Sequence, residues 1–229
     1  MSSSPEPWVT ESLTLGRFGK YSRAAGGDHG RALAVYDWNA KRSASLLHDL
    51  GHLEVGLRNA YDRALLSHPL VSGKDWIDPA VAAALLPPHL APNGTGEGHD
   101  KNAISRNSIK QACKRARYTE TNGVDRGKVI AELMFGFWTY LTDSLHEKTL
   151  WVPTLHKAYL PGADRGKLHL ALRDLRDVRN RLAHNESVYD RRPENQRRSI
   201  VYVAKNLSEP LRQHIDSRSS VRSVLEERP

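Results

Sequence analysis

Apolar residues recur along this chain at helical spacing almost throughout, and alternation of the strand kind is hard to find. From Arg31 to Leu66 the positions Leu46, Leu50, Leu53, Leu57 and Tyr61 fall three or four apart, no proline interrupts them, and Pro69 follows the end. The spacing predicts one long helix. A shorter amphipathic piece carrying Leu13, Phe18 and Tyr21 precedes it, set off by the glycine-rich breaker AAGGDHG.

After Leu66 the pattern changes. Asp78 and Pro79 suit the N-cap and first position of a short helix, after which proline and glycine predict an exposed loop from Pro87 to Gly98. A basic helix, NAISRNSIKQACKRARYT, follows with Arg106, Lys110, Lys114, Arg115 and Arg117. GKVIAELMFGFWTYLTDSL then predicts a single apolar helix. Ile130, Leu133, Phe137 and Leu141 form its core stripe, Met134 and Trp138 widen it, and Gly136 permits a close neighbour. ADRGKLHLALRDLRDVRNRLAHNE predicts a further helix; beyond it lie a segment from Pro193 to Leu207, a helix from about Ser208 to Ser217, and a charged tail. The similar loops GVDRGK (Gly123 to Lys128) and GADRGK (Gly162 to Lys167) lack the spacing of a P-loop and read as two aspartate-capped helix starts. The pattern predicts an all-α fold.

Two polar residues break this regularity. On a helical wheel Leu168, Leu172, Leu175 and Leu182 fall within about 40° of one direction, and Arg179 falls in the middle of them. A charge facing a core or a partner subunit is costly unless it is paired. Glu54 sits in the same way between Leu47, Leu50 and Tyr61 on the long early helix, with Arg58 at the edge of that face. A Glu54–Arg179 ion pair is therefore expected. His184 follows Arg179 by five residues. On a continuous helix it would lie about 140° away, so either the helix ends near Ala183 and swings the imidazole round, or a second subunit brings its own copy close. Asn185 suits a left-handed helix exit. A histidine that merely complements a helix C-terminus is the bland alternative.

The chain has 229 residues, enough for one domain with a real core. Its single cysteine, Cys113, excludes an intrachain disulfide framework and fits a reducing compartment. MSSSPEPW has no basic region followed by an apolar one, and the longest clean apolar run, Ala80 to Leu86, is far too short for a bilayer. A soluble cytoplasmic protein with no membrane partner is expected. The net charge of +8 puts phosphate-rich polymers first among partners and anionic membrane surfaces second.

The stretch RNRLAHNE (Arg179 to Glu186) resembles the signature of the HEPN superfamily, an arginine followed four to six residues later by a histidine. YDWNAKRSASLLHDLGHLEVGLRNAYDRAL, VIAELMFGFWTYLTD and LRDVRNRLAHNE together resemble the Abi-like (abortive infection) proteins of that superfamily, over roughly Leu13 to Tyr189. The resemblance implies a HEPN-like helical bundle, and the loop Leu86 to His99 and the tail after Arg197 lie outside it; the chain is read as a single such domain over 1–229, with a less regular insertion at about 67–127 and a charged C-terminal tail at about 208–229. It implies a homodimer in which two motifs face each other, metal-independent endoribonuclease activity without a cofactor, and a role in phage defence. An antitoxin, a guide or regulatory RNA, or a phage trigger are partners of the same kind. Some members only bind RNA, which leaves a non-catalytic RNA-binding or regulatory module as the alternative.

Such chemistry needs a proton carrier and a cation at the phosphate, because RNA supplies its own 2′-hydroxyl nucleophile. His184 is assigned proton transfer, Arg179 phosphate contact, and Asn180 an orienting hydrogen bond; Glu54 and Arg58 support Arg179. Lys110, Lys114, Arg115, Arg117, Arg176 and Arg181 are the candidate RNA-binding cations, with Arg173 and Arg58 adding positive field. His48 and His52 have the i, i+4 spacing of zinc ligands, but they fall on the polar side of their helix without an obvious third ligand, so no metal is expected.

Overall fold

The computed structural model describes residues 6–92, 98–119, 125–187 and 193–229. It is all-α apart from one small hairpin among those residues. The spine is α2 (His29–Leu66), 38 residues long, reached from α1 (Pro7–Ala24) through the Gly26–Gly27 turn. Asp28 caps α2 by accepting the Arg31 N–H at 2.8 Å. α1 is kinked at Thr14 (φ 58°) and closes a small apolar cluster in which its Val9, Phe18 and Tyr21 meet Ala32 and Val35 of α2.

The main core is built on the predicted stripe. Leu46, Leu50, Leu53, Leu57 and Tyr61 of α2 are all buried, each such aliphatic side chain contributing about 1.5–3 kcal/mol by leaving water. α7 (Arg165–Ala183), α8 (Pro193–Leu207) and α9 (Glu209–Arg218) pack along α2. In the described part of 67–127, Trp76, Ile77 and Val81 before and within α3 (Pro79–Leu85), and Ile109 of α4 (Ala103–Ala116), belong to the same core as α2. Arg126 ties that segment down, donating to Asp62 of α2 at 2.7 and 2.8 Å and to Asp75 at 2.7 Å. No helix among the described residues is long and apolar enough to cross a membrane.

Asp78 caps α3 as expected, as do Asp125 and Asp164 at the starts of α5 (Arg126–Glu132) and α7. Gly123 and Val124 of the first of those two loops lie outside the described residues, as does Tyr189. Three expectations are corrected. The loop from Pro87 to Gly98 contains strands: β1 (Leu90–Pro92) pairs antiparallel with β2 (Gly98–Asp100), while 93–97 lie outside the described residues. The apolar helix is not continuous. It breaks between α5 and α6 (Phe135–Tyr140) at Leu133 and Met134, both extended. The Trp138 indole N–H takes the Leu133 carbonyl that a continuing helix would use, and the Phe137 N–H turns to Met134. The break sends Phe135, Phe137 and Trp138 into the core but leaves Met134 exposed, so Met134 is not part of the stripe. Lastly, the charged stretch after α9 folds back as α10 (Val221–Glu226) onto α2, with Val221 buried and the Trp38 indole donating to the Val224 carbonyl at 2.6 Å.

Candidate functional site

α7 carries the quoted signature at its C-terminal end. Its buried face is Leu168, Leu172, Leu175, Val178 and Leu182. Val178, not Arg179, takes the core position in the last turns. Arg179 lies beside the stripe with 29% of its side chain exposed and meets Glu54, 21% exposed, at 4.0 Å. The two helices therefore bring together the pair that the wheel suggested, half-buried rather than buried, and at a distance that is a charge contact and not a hydrogen bond. Among the described residues the Arg179 guanidinium donates no hydrogen bond.

Glu54 is held above the usual carboxylate range. Burial is the main cause; Arg179, then Arg58, then the backbone N–H of Phe135 pull the other way without overcoming it. The Phe135 contact arises from the break before α6, which frees that N–H from a continuing helix.

The helix exit is well defined. His184 is the C-cap, and its N–H donates to the Asn180 carbonyl at 3.1 Å. Asn185 is left-handed (φ 51°); its N–H donates to Leu182 at 3.0 Å and that of Glu186 to Arg181 at 2.9 Å. This is the Schellman exit that an asparagine permits. Arg181 staples it, donating to Glu186 Oε2 at 2.9 Å and to the Ser187 carbonyl at 3.2 Å. The side chains of His184 and Asn180 stand in solvent. From the other end of the chain, Arg17 of α1 donates to the His184 carbonyl at 3.3 Å. No sequence signal marks Arg17, because the contact joins elements remote in the chain.

The other predicted cations are spread over different surroundings. Arg176 donates to its neighbour Asp177 at 2.9 and 2.8 Å, and Arg173 lies 3.9 Å from Asp174. Lys110, Lys114 and Arg115 of α4 and its C-cap Arg117 are exposed; Arg115 pairs with Glu132 at 3.2 Å. Arg106 is structural, binding Asp100 and the Leu86 carbonyl and so fastening the hairpin to α4. α4 packs mainly on α3 and α5, whereas α7 packs on α2, α6 and α8, so the basic helix and the signature stand on different elements of the bundle.

His48 and His52 do acquire a third histidine. His214 of α9 stands 4.9 Å from His52, ring centre to ring centre, and His48 stands 4.8 Å from His52. Burial lowers the His52 pKa, His48 and His214 lower it further, and Asp49 opposes them. The rings stack edge to face, and among the described residues no group of three His, Cys, Asp or Glu side chains is arranged to hold a metal ion.

Comparison of the chain with protein-family models, with curated proteins and with solved structures returned no match.

Proposed function

We propose that this chain is a metal-independent endoribonuclease of the HEPN kind. The observation that carries the reading is Arg179: a half-buried guanidinium, anchored by the charge of Glu54 and with no hydrogen-bond acceptor of its own among the described residues, five residues before a solvent-exposed imidazole. A partly desolvated fork of N–H donors without acceptors is a site for a phosphate oxygen pair.

In the proposed reaction a histidine takes the proton of the ribose 2′-hydroxyl, and that oxygen attacks the adjacent phosphorus. Arg179 stabilises the negative charge that develops on the non-bridging oxygens. The phosphorus–O5′ bond breaks, and a protonated histidine supplies the proton to the departing oxygen. The products are a 2′,3′-cyclic phosphate and a 5′-hydroxyl. One His184 serves one proton transfer at a time, so a homodimer with two copies facing a single cleft supplies both base and acid. The resemblance, and not the geometry, supports a place in phage defence.

A second reading draws on the same residues. Arg179 already faces Glu54, and the backbone of His184 is committed to the helix exit, so the pair also suits an RNA-binding module without chemistry. Incubation of a labelled RNA with excess chelator separates the two. Cleavage that leaves cyclic-phosphate ends and is lost in His184→Ala supports the nuclease. Binding without cleavage supports the module. Cleavage unchanged in His184→Ala removes the mechanism.

A further inference from the structure

α9 runs antiparallel to α2 along a seam with roughly one contact in each turn. Leu211 lies over Gly56, the His214 ring stands 4.9 Å from that of His52, and Ser219 donates to Asp49 at 2.6 Å. α10 continues along the same helix, where the Trp38 indole donates to the Val224 carbonyl at 2.6 Å. The middle of the seam is imidazole. Because His52 also stands 4.8 Å from His48, three rings meet edge to face where α2 carries the C-terminal segment.

Neutral imidazoles pack this way without penalty. Charged ones need countercharge, and little is within reach. On α2, Asp49 faces His48 Nδ1 at 3.1 Å and is shared with Ser219. On α9, Glu209 and Asp216 are taken by Arg212, and Asp216 also by Arg197 of α8. Lys41 of α2, Arg218 at the end of α9 and Glu227, the C-cap of α10, line one open recess with His48. Lys41 and Glu227 pair at 3.2 Å, so Arg218 adds only positive charge there. Asp49 therefore balances one imidazolium, at His48. A further proton at His52 meets a like charge one ring away, 4.8 Å on one side and 4.9 Å on the other. Two unit charges that close disfavour each other about fourfold even in water.

The sign of the effect follows from His52. Burial, then His48 and His214, hold its pKa below the ordinary 6.5. A histidine depressed in the docked state contributes its stability above 6.5 and loses it as pH falls, because the undocked helix takes the proton first.

We propose that the three imidazoles form a pH-sensitive latch: proton uptake across the histidine range loosens α9 and α10 from α2 while the rest of the bundle stays closed. Ile215 and Val221 remain buried in the main core, so the response is local opening and not release. The latch is independent of the RNA reading, because neither Arg179 nor His184 takes part in it.

Hydrogen exchange of the full chain at about pH 7.5 and about pH 5.5, corrected for intrinsic rates, tests it across the range in which histidine titrates. Amides of α7 serve as the reference, which cancels any loss of stability shared by the whole molecule. On acidification α9 and α10 are expected to lose about fourfold or more protection beyond the loss in α7. His52→Gln removes the ring that both others touch and is expected to abolish this excess. His214→Gln, at an exposed position, is expected to reduce it and decides the matter if His52→Gln does not fold. Equal losses in α7, α9 and α10 of the parent overturn the proposal, as does an excess that survives unchanged in the folded variants.

Discussion

Glu54 Oε2 stands 4.0 Å from Arg179 Nε, joining the middle of α2 to the last turns of α7. The pair is a mutual constraint more than a source of stability. Burial disfavours the Glu54 carboxylate more than its two arginines favour it. A carboxyl with a raised folded-state pKa contributes stability fully below its unfolded value and loses it as pH rises through the folded value. At neutral pH the ionised Glu54 is therefore no asset to folding. Glu54→Gln is expected to leave unfolding free energy at pH 7 within about 0.5 kcal/mol of the parent or above it, while weakening RNA cleavage. Chemical denaturation checks this; a loss of about 2 kcal/mol or more makes the pair a structural bridge instead.

Arg179→Lys keeps the charge facing Glu54 and removes the planar fork. Cleavage is expected to fall about a hundredfold, the scale of a lost oxyanion donor, with the melting temperature unchanged. Single-turnover kinetics on a labelled RNA distinguish this from mere loss of affinity. Activity equal to the parent takes Arg179 out of the phosphate site.

Gly56 lets α9 approach α2. A Cβ there would lie 2.5 Å from Leu211 Cδ2. Leu211 is only partly buried, so the end of its side chain can move, and alanine gains about 1 kcal/mol of helix propensity over glycine. Gly56→Ala is expected to come out near neutral. Gly56→Val has no such room and is expected to cost about 1–3 kcal/mol, read by urea unfolding.

His146 is 1% exposed, its ring 4.8 Å from that of Tyr140, and its Nε2 has no hydrogen-bond partner among the described residues. Burial holds its pKa at about 4, with Asp143 opposing and His89 adding to the effect. Between pH 6.5 and 4 the unfolded chain binds this proton and the folded chain does not, so the stability this group contributes is complete above 6.5 and is lost as pH falls to about 4. The loss amounts to about 3 kcal/mol. His146→Phe keeps a ring against Tyr140 and is expected to flatten the decline measured by denaturation across that range. Parallel curves for parent and variant contradict it.

Asp49 is fully buried on α2 and accepts from Ser219 Oγ at 2.6 Å, with His48 Nδ1 3.1 Å from its other oxygen. Ser219→Ala leaves that carboxylate one donor short and is expected to cost about 1–3 kcal/mol. Hydrogen exchange is expected to rise first in α10, which packs beside this contact. Exchange unchanged in α10 separates Asp49 from the docking of the C-terminal segment.

The periodicity of apolar residues by itself determined the all-α class, the long α2, the stripe on α7 and the aspartate caps. These are local: a side chain three or four positions on shares a helix face, and a cap reaches only its own first turn. The same local rule pointed to Glu54 and Arg179 as anomalies and to Asn185 as a left-handed exit. Tertiary structure decided the rest. The break before α6 depends on where the Trp138 indole finds an acceptor, which no helical wheel records. The return of α10 onto α2 depends on buried partners, Asp49 and Trp38, more than a hundred residues away. The Arg17 contact with His184 and the third histidine beside His52 both join elements remote in sequence. Such contacts follow from the packing of whole helices, and the spacing along any one of them holds no information about its neighbour.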